Sequence, residues 1–145
     1  MKYSGMVGVT SRSFSKNLLL RRKLQEYFSE VKFNEDGHKL TGNDLVNFLT
    51  GCKQAIIGLE IIDEDLLCKL PNLKVICKMG SGVDNIAFKA LKPRNIAFAH
   101  TPSVNKRSVS ELVLGLIFIL LRRLAMSHKT LAQGEIGRAS CRERV

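Results

Sequence analysis

The sequence predicts an α/β fold: a doubly wound parallel sheet of five strands, followed by a long interdomain helix. Two observations carry this. Apolar runs short enough to be buried strands alternate with amphipathic stretches long enough to be crossover helices, the pattern of a parallel sheet. After the fifth run comes one stretch, Leu112 to Leu121, that is apolar on every side of a helix.

The first strand is expected over Met6 to Thr10. Lys16 to Phe28 follows, with Leu19, Leu20, Leu24, Tyr27 and Phe28 at helical spacing. Glu30 to Phe33 is the second strand. Gly42 to Thr50, with Leu45, Val46, Phe48 and Leu49, is the next helix. Ala55 to Gly58 is the third strand, and Asp63 to Leu70 a helix ended by Pro71. Lys74 to Cys77 and Ile96 to Ala99 complete the sheet, joined by a short crossover from Asp84 to Leu91 that Pro93 bounds. This is the flavodoxin-like arrangement, in which ligands bind at the carboxyl ends of the strands beside the switch in strand order.

A polar turn, His100-Thr101-Pro102-Ser103-Val104-Asn105, leads into the last helix. Ser108 with Glu111 three residues later fits a capping box. From there the helix is expected to run through Leu112 to about Ala132. A helix apolar all round must be covered on all sides. The residues before it can cover only one, so the chain is expected to be part of a longer one.

Length and composition narrow the class. With 145 residues, 45% of them hydrophobic, the chain has room for one domain with a real core and not for two. The N-terminus lacks a long apolar leader, and the longest apolar run is shorter than the ~20 residues that cross a bilayer. A cytoplasmic protein without a membrane partner is expected. Cys52, Cys68, Cys77 and Cys141 form no CxxC pair, so neither a disulfide framework nor a metal site is expected. The net charge of +10 comes from scattered Lys and Arg with few aromatics, which argues against a nucleic-acid partner. The last ten residues, IGRASCRERV, read as a common sequencing-adapter oligonucleotide translated in frame. They are taken as an artefact and left out of the fold. Without Arg138, Arg142, Glu143 and Arg144 the net charge is +8.

Two segments carry candidate chemistry. Met79-Gly80-Ser81-Gly82-Val83-Asp84-Asn85-Ile86 follows the fourth strand directly. Its glycines let the backbone approach a ligand, and successive N–H groups can form an anion-binding nest. Taken alone it reads more simply as a turn, with Asp84 as a local helix cap. The second segment, Asn105 to Glu111, is a helix start whose free N–H groups and positive end favour a carboxylate or phosphate. Asn105 adds a side-chain donor, though by itself this is an ordinary capped helix.

The combination is more specific. LKVICKMGSGVDNI, followed by IAFAHTPSVNKRSVSELVLGLIFILLRRL, resembles the D-isomer-specific 2-hydroxyacid dehydrogenases, phosphoglycerate dehydrogenases among them. That family's pattern runs G-x-G-x-D-N-I-D, a strand, then N-T-P-x-x-N-x-x-S-V-A-E-L and a long apolar helix. The departures are Ala87 for Asp, His100 for Asn and Ser110 for Ala.

The resemblance implies an oxidoreductase moving hydride between C2 of a D-2-hydroxy acid, phosphoglycerate-like, and the nicotinamide of NAD, with NADP left open. It implies that backbone N–H groups around Ser81 and Gly82 hold the substrate carboxylate, that Ser81 also approaches the cofactor, and that Asn105 lies at the hinge beside the substrate. Lys78 stands where some members carry a basic residue near the substrate; a solvated lysine is the plainer reading. The family's catalytic Arg, Glu and His and its GxGxxG loop belong to a second domain, so no catalytic residue is assigned here. His38, His100 and His128 lie outside the catalytic context. Arg122 and Arg123 complement a helix dipole. The organisation implied is a substrate domain at residues 1–100, a hinge and long helix at 101–135 leading into an NAD-binding domain outside this chain, and the foreign tail at 136–145. The partner would be a small 2-hydroxy or 2-keto acid, the full-length form a homodimer, and this fragment inactive.

Three other functions share such a fold. An FMN-binding, flavodoxin-like module could use the hydroxyl-rich loop Thr10 to Ser15 as a phosphate cradle, although helix capping explains those residues more simply. A receiver domain fails, because Thr10-Ser11 and Gly58-Leu59-Glu60 stand where its acidic residues belong. An NAD-sensing corepressor shares the Gly-Ser-Gly loop, but the wording NKRSVSEL is closer to the enzymes.

Overall fold

A computed structural model describes residues 2–134, so the expected adapter-derived tail lies outside the described residues. Five strands form the sheet: β1 (Val7–Val9), β2 (Val31–Phe33), β3 (Gln54–Ile57), β4 (Val75–Lys78) and β5 (Ala97–His100). All pair in parallel, in the order β2-β1-β3-β4-β5. This is the flavodoxin-like order, with its switch between β1 and β3. Val9 stands beside both Phe33 and Ile56, Ile56 beside Cys77, and Cys77 beside Ala99. With the strands in step, all their exit loops open along one edge.

The crossovers are α1 (Arg12–Lys16) and α2 (Leu18–Tyr27), then α3 (Gly42–Leu49), α4 (Glu64–Cys68) and α5 (Phe88–Leu91). The helix expected over Lys16 to Phe28 is two helices. Asn17 breaks them by capping α2, its Oδ1 accepting the N–H groups of Leu19 at 3.0 Å and Leu20 at 3.1 Å. Asp63 does the same for α4, accepting from Leu66 at 2.8 Å. The last crossover is shorter than expected. Asp84 lies in a turn ahead of α5 and does not cap it; Ala87 stands at that position.

One core cluster joins Leu45 and Leu49 of α3, Leu66 and Leu67 of α4, and Ala90 and Leu91 of α5 to Ala55, Ile57 and Ile76 of the sheet. A second joins Val7, Val9 and Phe33 to Phe14, Leu24 and Phe28. Each fully buried Leu or Ile in such a core contributes about 1.5–3 kcal/mol. Gly8 is required where β1 meets α3. A Cβ there would sit 2.7 Å from Leu49 Cδ2 and 3.0 Å from Cys52 Sγ, both on buried residues.

The chain divides after Ser103. Beyond it are α6 (Lys106–Leu121) and α7 (Leu124–Ala132), none of whose residues is buried. The expected single helix is interrupted at Arg123, whose φ of 51° is left-handed and ends a helix. The expected capping box does not form either. The helix starts earlier, at Lys106, so Ser108 and Glu111 lie inside it, and Glu111 pairs with Arg107 at 2.8 Å.

Candidate functional site

The exit loops of β3 and β4 are tied together around one residue, Gly58. The Gly58 N–H donates to Glu60 Oε2 at 2.6 Å. The Gly58 carbonyl accepts from Lys78 Nζ and, at 3.4 Å, from Asn85 Nδ2, which also donates to the Glu60 carbonyl. Backbone bonds lock the same pair of loops, Ile62 N–H to Asn85 O and Ala87 N–H to Ile62 O, both at 2.9 Å. Glu60 and Lys78 are only 2% and 7% exposed. Lys78 is therefore neither a solvated lysine nor free to reach a substrate: its ammonium group is held by a main-chain carbonyl. Asn85 of the Asp-Asn-Ile segment is likewise a structural clamp.

On the other side of the switch, Asn34 ties β2 to β1. Its Nδ2 donates to Thr10 O at 3.1 Å and His38 O at 2.8 Å, and its Oδ1 accepts from Gly37 N–H at 3.2 Å. The hydroxyls of the loop after β1 have internal partners as well. Ser15 donates to Val9 O and accepts from Asn34 N–H, Thr10 Oγ1 donates to Ile56 O, and Ser11 and Ser13 donate to Met79 Sδ at 3.3 and 3.7 Å. Ser11 precedes α1 without capping it. The capping expected here is absent, and so are the free hydroxyls that a flavin phosphate loop would need.

Gly80-Ser81-Gly82 leaves the end of β4, and all three residues are exposed. Gly80 has a φ of 114°, a conformation side chains rarely adopt. Gly82 needs no such freedom: a Cβ there would meet only Asp84 Oδ2, at 3.7 Å. Among the described residues the Gly82 N–H has no acceptor. Asn105 lies in the second unit, at the N-cap of α6, and its side chain makes no capping bond.

Beside this turn, at the β1–β3 switch, opens a cavity of about 470 Å³. Ser11, Arg12, Ser13 and Lys16 line it from the β1 side, Gly37 and Lys39 from the β2 exit, Gly58 to Glu60 from β3, and Met79 from β4. Sequence reasoning placed a ligand at the strand ends but did not single out Arg12, Lys16 and Lys39. The available signal was that each follows the carboxyl end of a strand, Arg12 and Lys16 after β1 and Lys39 after its neighbour β2.

His38 and His100 do not line this cavity; His100 stacks against Phe98, with ring centres 5.5 Å apart. Cys52, Cys68 and Cys77 are free thiols, and burial pushes Cys52 and Cys77 above the usual thiol range, which keeps both protonated and unreactive at neutral pH. Among the described residues no group of three or more His, Cys, Asp or Glu could hold a metal ion, and no helix is long and apolar enough to cross a membrane. The described residues do not fit a dinucleotide pyrophosphate. Asn85 stands where the third glycine of GxGxxG belongs, and its side chain is tied to the β3 exit.

The chain is thus a doubly wound parallel α/β domain with a crevice at its strand switch and an exposed Gly-Ser-Gly turn at the end of β4. Residues 12–142 match the family model "D-isomer specific 2-hydroxyacid dehydrogenase, catalytic domain". The chain belongs to that family.

It is 30% identical over 139 residues to a probable 2-ketogluconate reductase of Dictyostelium discoideum, covering 90% of this chain and 41% of that protein. It is 32% identical over 119 residues to glyoxylate/hydroxypyruvate reductase B of Yersinia pestis (strain Pestoides F), covering 80% of this chain and 35% of that one. The chain thus spans less than half the length of these relatives. Among solved structures, D-lactate dehydrogenase of Aquifex aeolicus, complexed with NAD and lactic acid, superposes with a TM-score of 0.73 at 21% identity, over 93% of this chain and 39% of that one.

Proposed function

We propose that this chain is the substrate-binding part of a cytoplasmic, nicotinamide-dependent oxidoreductase that interconverts D-2-hydroxy acids and 2-keto acids. In this reading residues 1–100 are the substrate domain and residues 101–135 a hinge and helix continuing into a nucleotide-binding domain, the whole protein forming a homodimer. The observation that carries the reading is the exposed Gly80-Ser81-Gly82 turn beside the switch-point cavity, in a chain belonging to this family. Ser81 and Gly82 present backbone N–H groups to the substrate carboxylate. They orient the acid so that its C2 faces the cofactor, which Ser81 also approaches. Asn105 contributes from the hinge. The cofactor supplies or accepts the hydride, and the groups that polarise the carbonyl and move the proton lie outside residues 2–134.

An enzyme is favoured over a corepressor because the relatives named above are reductases. Titration of the ¹⁵N-labelled chain with glyoxylate or 2-ketogluconate tests the carboxylate contact. The amides of Ser81 and Gly82 are expected to shift and saturate; if neither moves with any 2-keto acid, the assignment is wrong. The chain by itself is expected to give no turnover with NADH or NADPH. Measurable turnover would overturn the placing of hydride-transfer groups elsewhere.

A further inference from the structure

We infer that Asp36-Gly37, in the loop after β2, is a site of spontaneous aspartate isomerisation, and that the Asn34 side chain guards it. No other Asp or Asn in the sequence is followed by glycine. The following residue governs this chemistry, because its backbone nitrogen is the attacking atom and any side chain on it obstructs the approach. Gly37 offers no obstruction. Asp36 is exposed and makes no ion pair among the described residues, so its carboxyl is open to attack.

The reaction needs no partner but water. The Gly37 nitrogen bonds to Asp36 Cγ, its proton and the carboxyl hydroxyl leave as water, and a succinimide ring results. Water then adds to either ring carbonyl. When the ring opens on the main-chain side, the chain runs on through Cγ and is one atom longer, with the former main-chain carbonyl left as a free carboxylate. Mass is unchanged, but the backbone is not.

The turn itself requires the labile pair. Gly37 has a φ of 65°, where side chains are rarely found, and a Cβ on it would lie 3.1 Å from Lys16 Cε. A larger residue therefore cannot take its place without strain. Asn34, only 4% exposed, supplies the protection instead. Its Oδ1 accepts the Gly37 N–H at 3.2 Å, while its Nδ2 donates to His38 O at 2.8 Å and to Thr10 O at 3.1 Å. The nitrogen that must lose its proton and swing onto Cγ is thus bonded and fixed from both sides. An isomerised chain, one atom longer between Asn34 and Gly37, does not keep the spacing these bonds need. The β2 exit is then released from the end of β1. Gly37 and Lys39 of this loop line the switch-point cavity, so one wall of the cavity is released with it.

The test is incubation of the chain in warm, mildly acidic buffer, with isoaspartate at Asp36 measured by electron-transfer fragmentation, which tells the isomers apart at equal mass. The folded chain is expected to isomerise roughly tenfold more slowly than the same chain in urea, because the held amide must first open. Asn34→Ala is expected to lose most of that protection. Leu67→Ala, a core variant that keeps Asn34, is expected to retain it, which separates the guard from a general loss of stability. Should Asn34→Ala fail to fold, hydrogen exchange of the parent gives the second reading: the Gly37 amide should be protected. Equal rates in the folded and urea-unfolded chain, an unprotected Gly37 amide, or a folded Asn34→Ala that isomerises no faster than Leu67→Ala would each overturn the guard. Absence of isoaspartate even in urea would overturn the site itself.

Discussion

The exit loops of β3 and β4 leave neighbouring strands of one sheet, yet they use their polar groups in opposite ways. At the β3 exit both the N–H and the carbonyl of Gly58 are bonded internally, by Glu60, Lys78 and Asn85. At the β4 exit, Gly80-Ser81-Gly82 is exposed, and the Gly82 N–H has no acceptor among the described residues. The Gly-Ser-Gly-Val-Asp-Asn-Ile motif is therefore two things joined end to end. Its glycine half is turned outward, and its Asn85 end fastens the turn to a rigid wall. Rigidity on one side allows the other to hold the Gly82 N–H in place.

The walls should fail first under mutation. Asn34→Ala removes the side chain that bonds Thr10 O, His38 O and Gly37 N–H, leaving at least one buried main-chain group unpaired. The expected loss is about 2–4 kcal/mol, given ~1–3 kcal/mol for each buried group left unsatisfied. Chemical denaturation followed by circular dichroism reads it. A loss under ~0.5 kcal/mol would mean that water replaces the clamp and that the β1 and β2 exits are not held together as described.

Within the turn itself Gly80 is the sensitive position. Gly80→Ala places a Cβ at a φ of 114°, a strain of about 1–3 kcal/mol, although nothing lies within 4 Å to clash with it. The loss should thus come from backbone conformation alone. Gly80→Asn, a residue that tolerates positive φ somewhat better, is expected to be less harmful than Gly80→Val. An equal loss for both would point to packing instead.

A smaller effect belongs to the Arg21–Glu35 pair beside the cavity. The hydrogen bond to Arg21 holds the Glu35 carboxyl below the usual carboxylate range, against a desolvation cost that ranks ahead of their charge attraction. Its contribution is present above the unfolded pKa of about 4.5 and is lost as the pH falls through the lower folded value. Stability should fall less steeply across that window in Glu35→Gln than in the parent. The difference should shrink in high salt, because the pair is exposed to solvent. Identical acid profiles for the two proteins would remove this pair from the account.

Much of the sheet was legible because burial imposes a period on sequence: strands β1 to β5 fall within the predicted apolar runs or a residue or two of them. What was not legible depended on single side chains choosing among partners. Asn17 could have continued a helix and caps a new one instead. Ser108 and Glu111 have the spacing of a capping box, but the helix reached back to Lys106 and enclosed them. Arg123 turns left-handed where neither glycine nor proline announces it. At the site, the Gly-Ser-Gly turn could be found from its residue types. Lys78 was misjudged because its burial depends on Gly58, twenty positions away. Arg12, Lys16 and Lys39 are ordinary surface cations until the strand order brings them round one cavity.

The smallest effect on stability should accompany the clearest effect on binding, at Gly82. Its φ lies outside the left-handed region, and a Cβ there would make only an ordinary contact with Asp84 Oδ2. Gly82→Ala should accordingly leave stability within ~0.5 kcal/mol of the parent, or raise it slightly by restricting the unfolded chain. If the Gly82 N–H meets the substrate carboxylate, the added methyl crowds that approach, and 2-keto acids should bind several-fold more weakly. Calorimetry of the acid alongside a denaturation curve separates the two quantities. A variant that is stable and binds acids as well as the parent would show the turn to be merely a turn, and the contrast between the two strand exits would then concern folding alone.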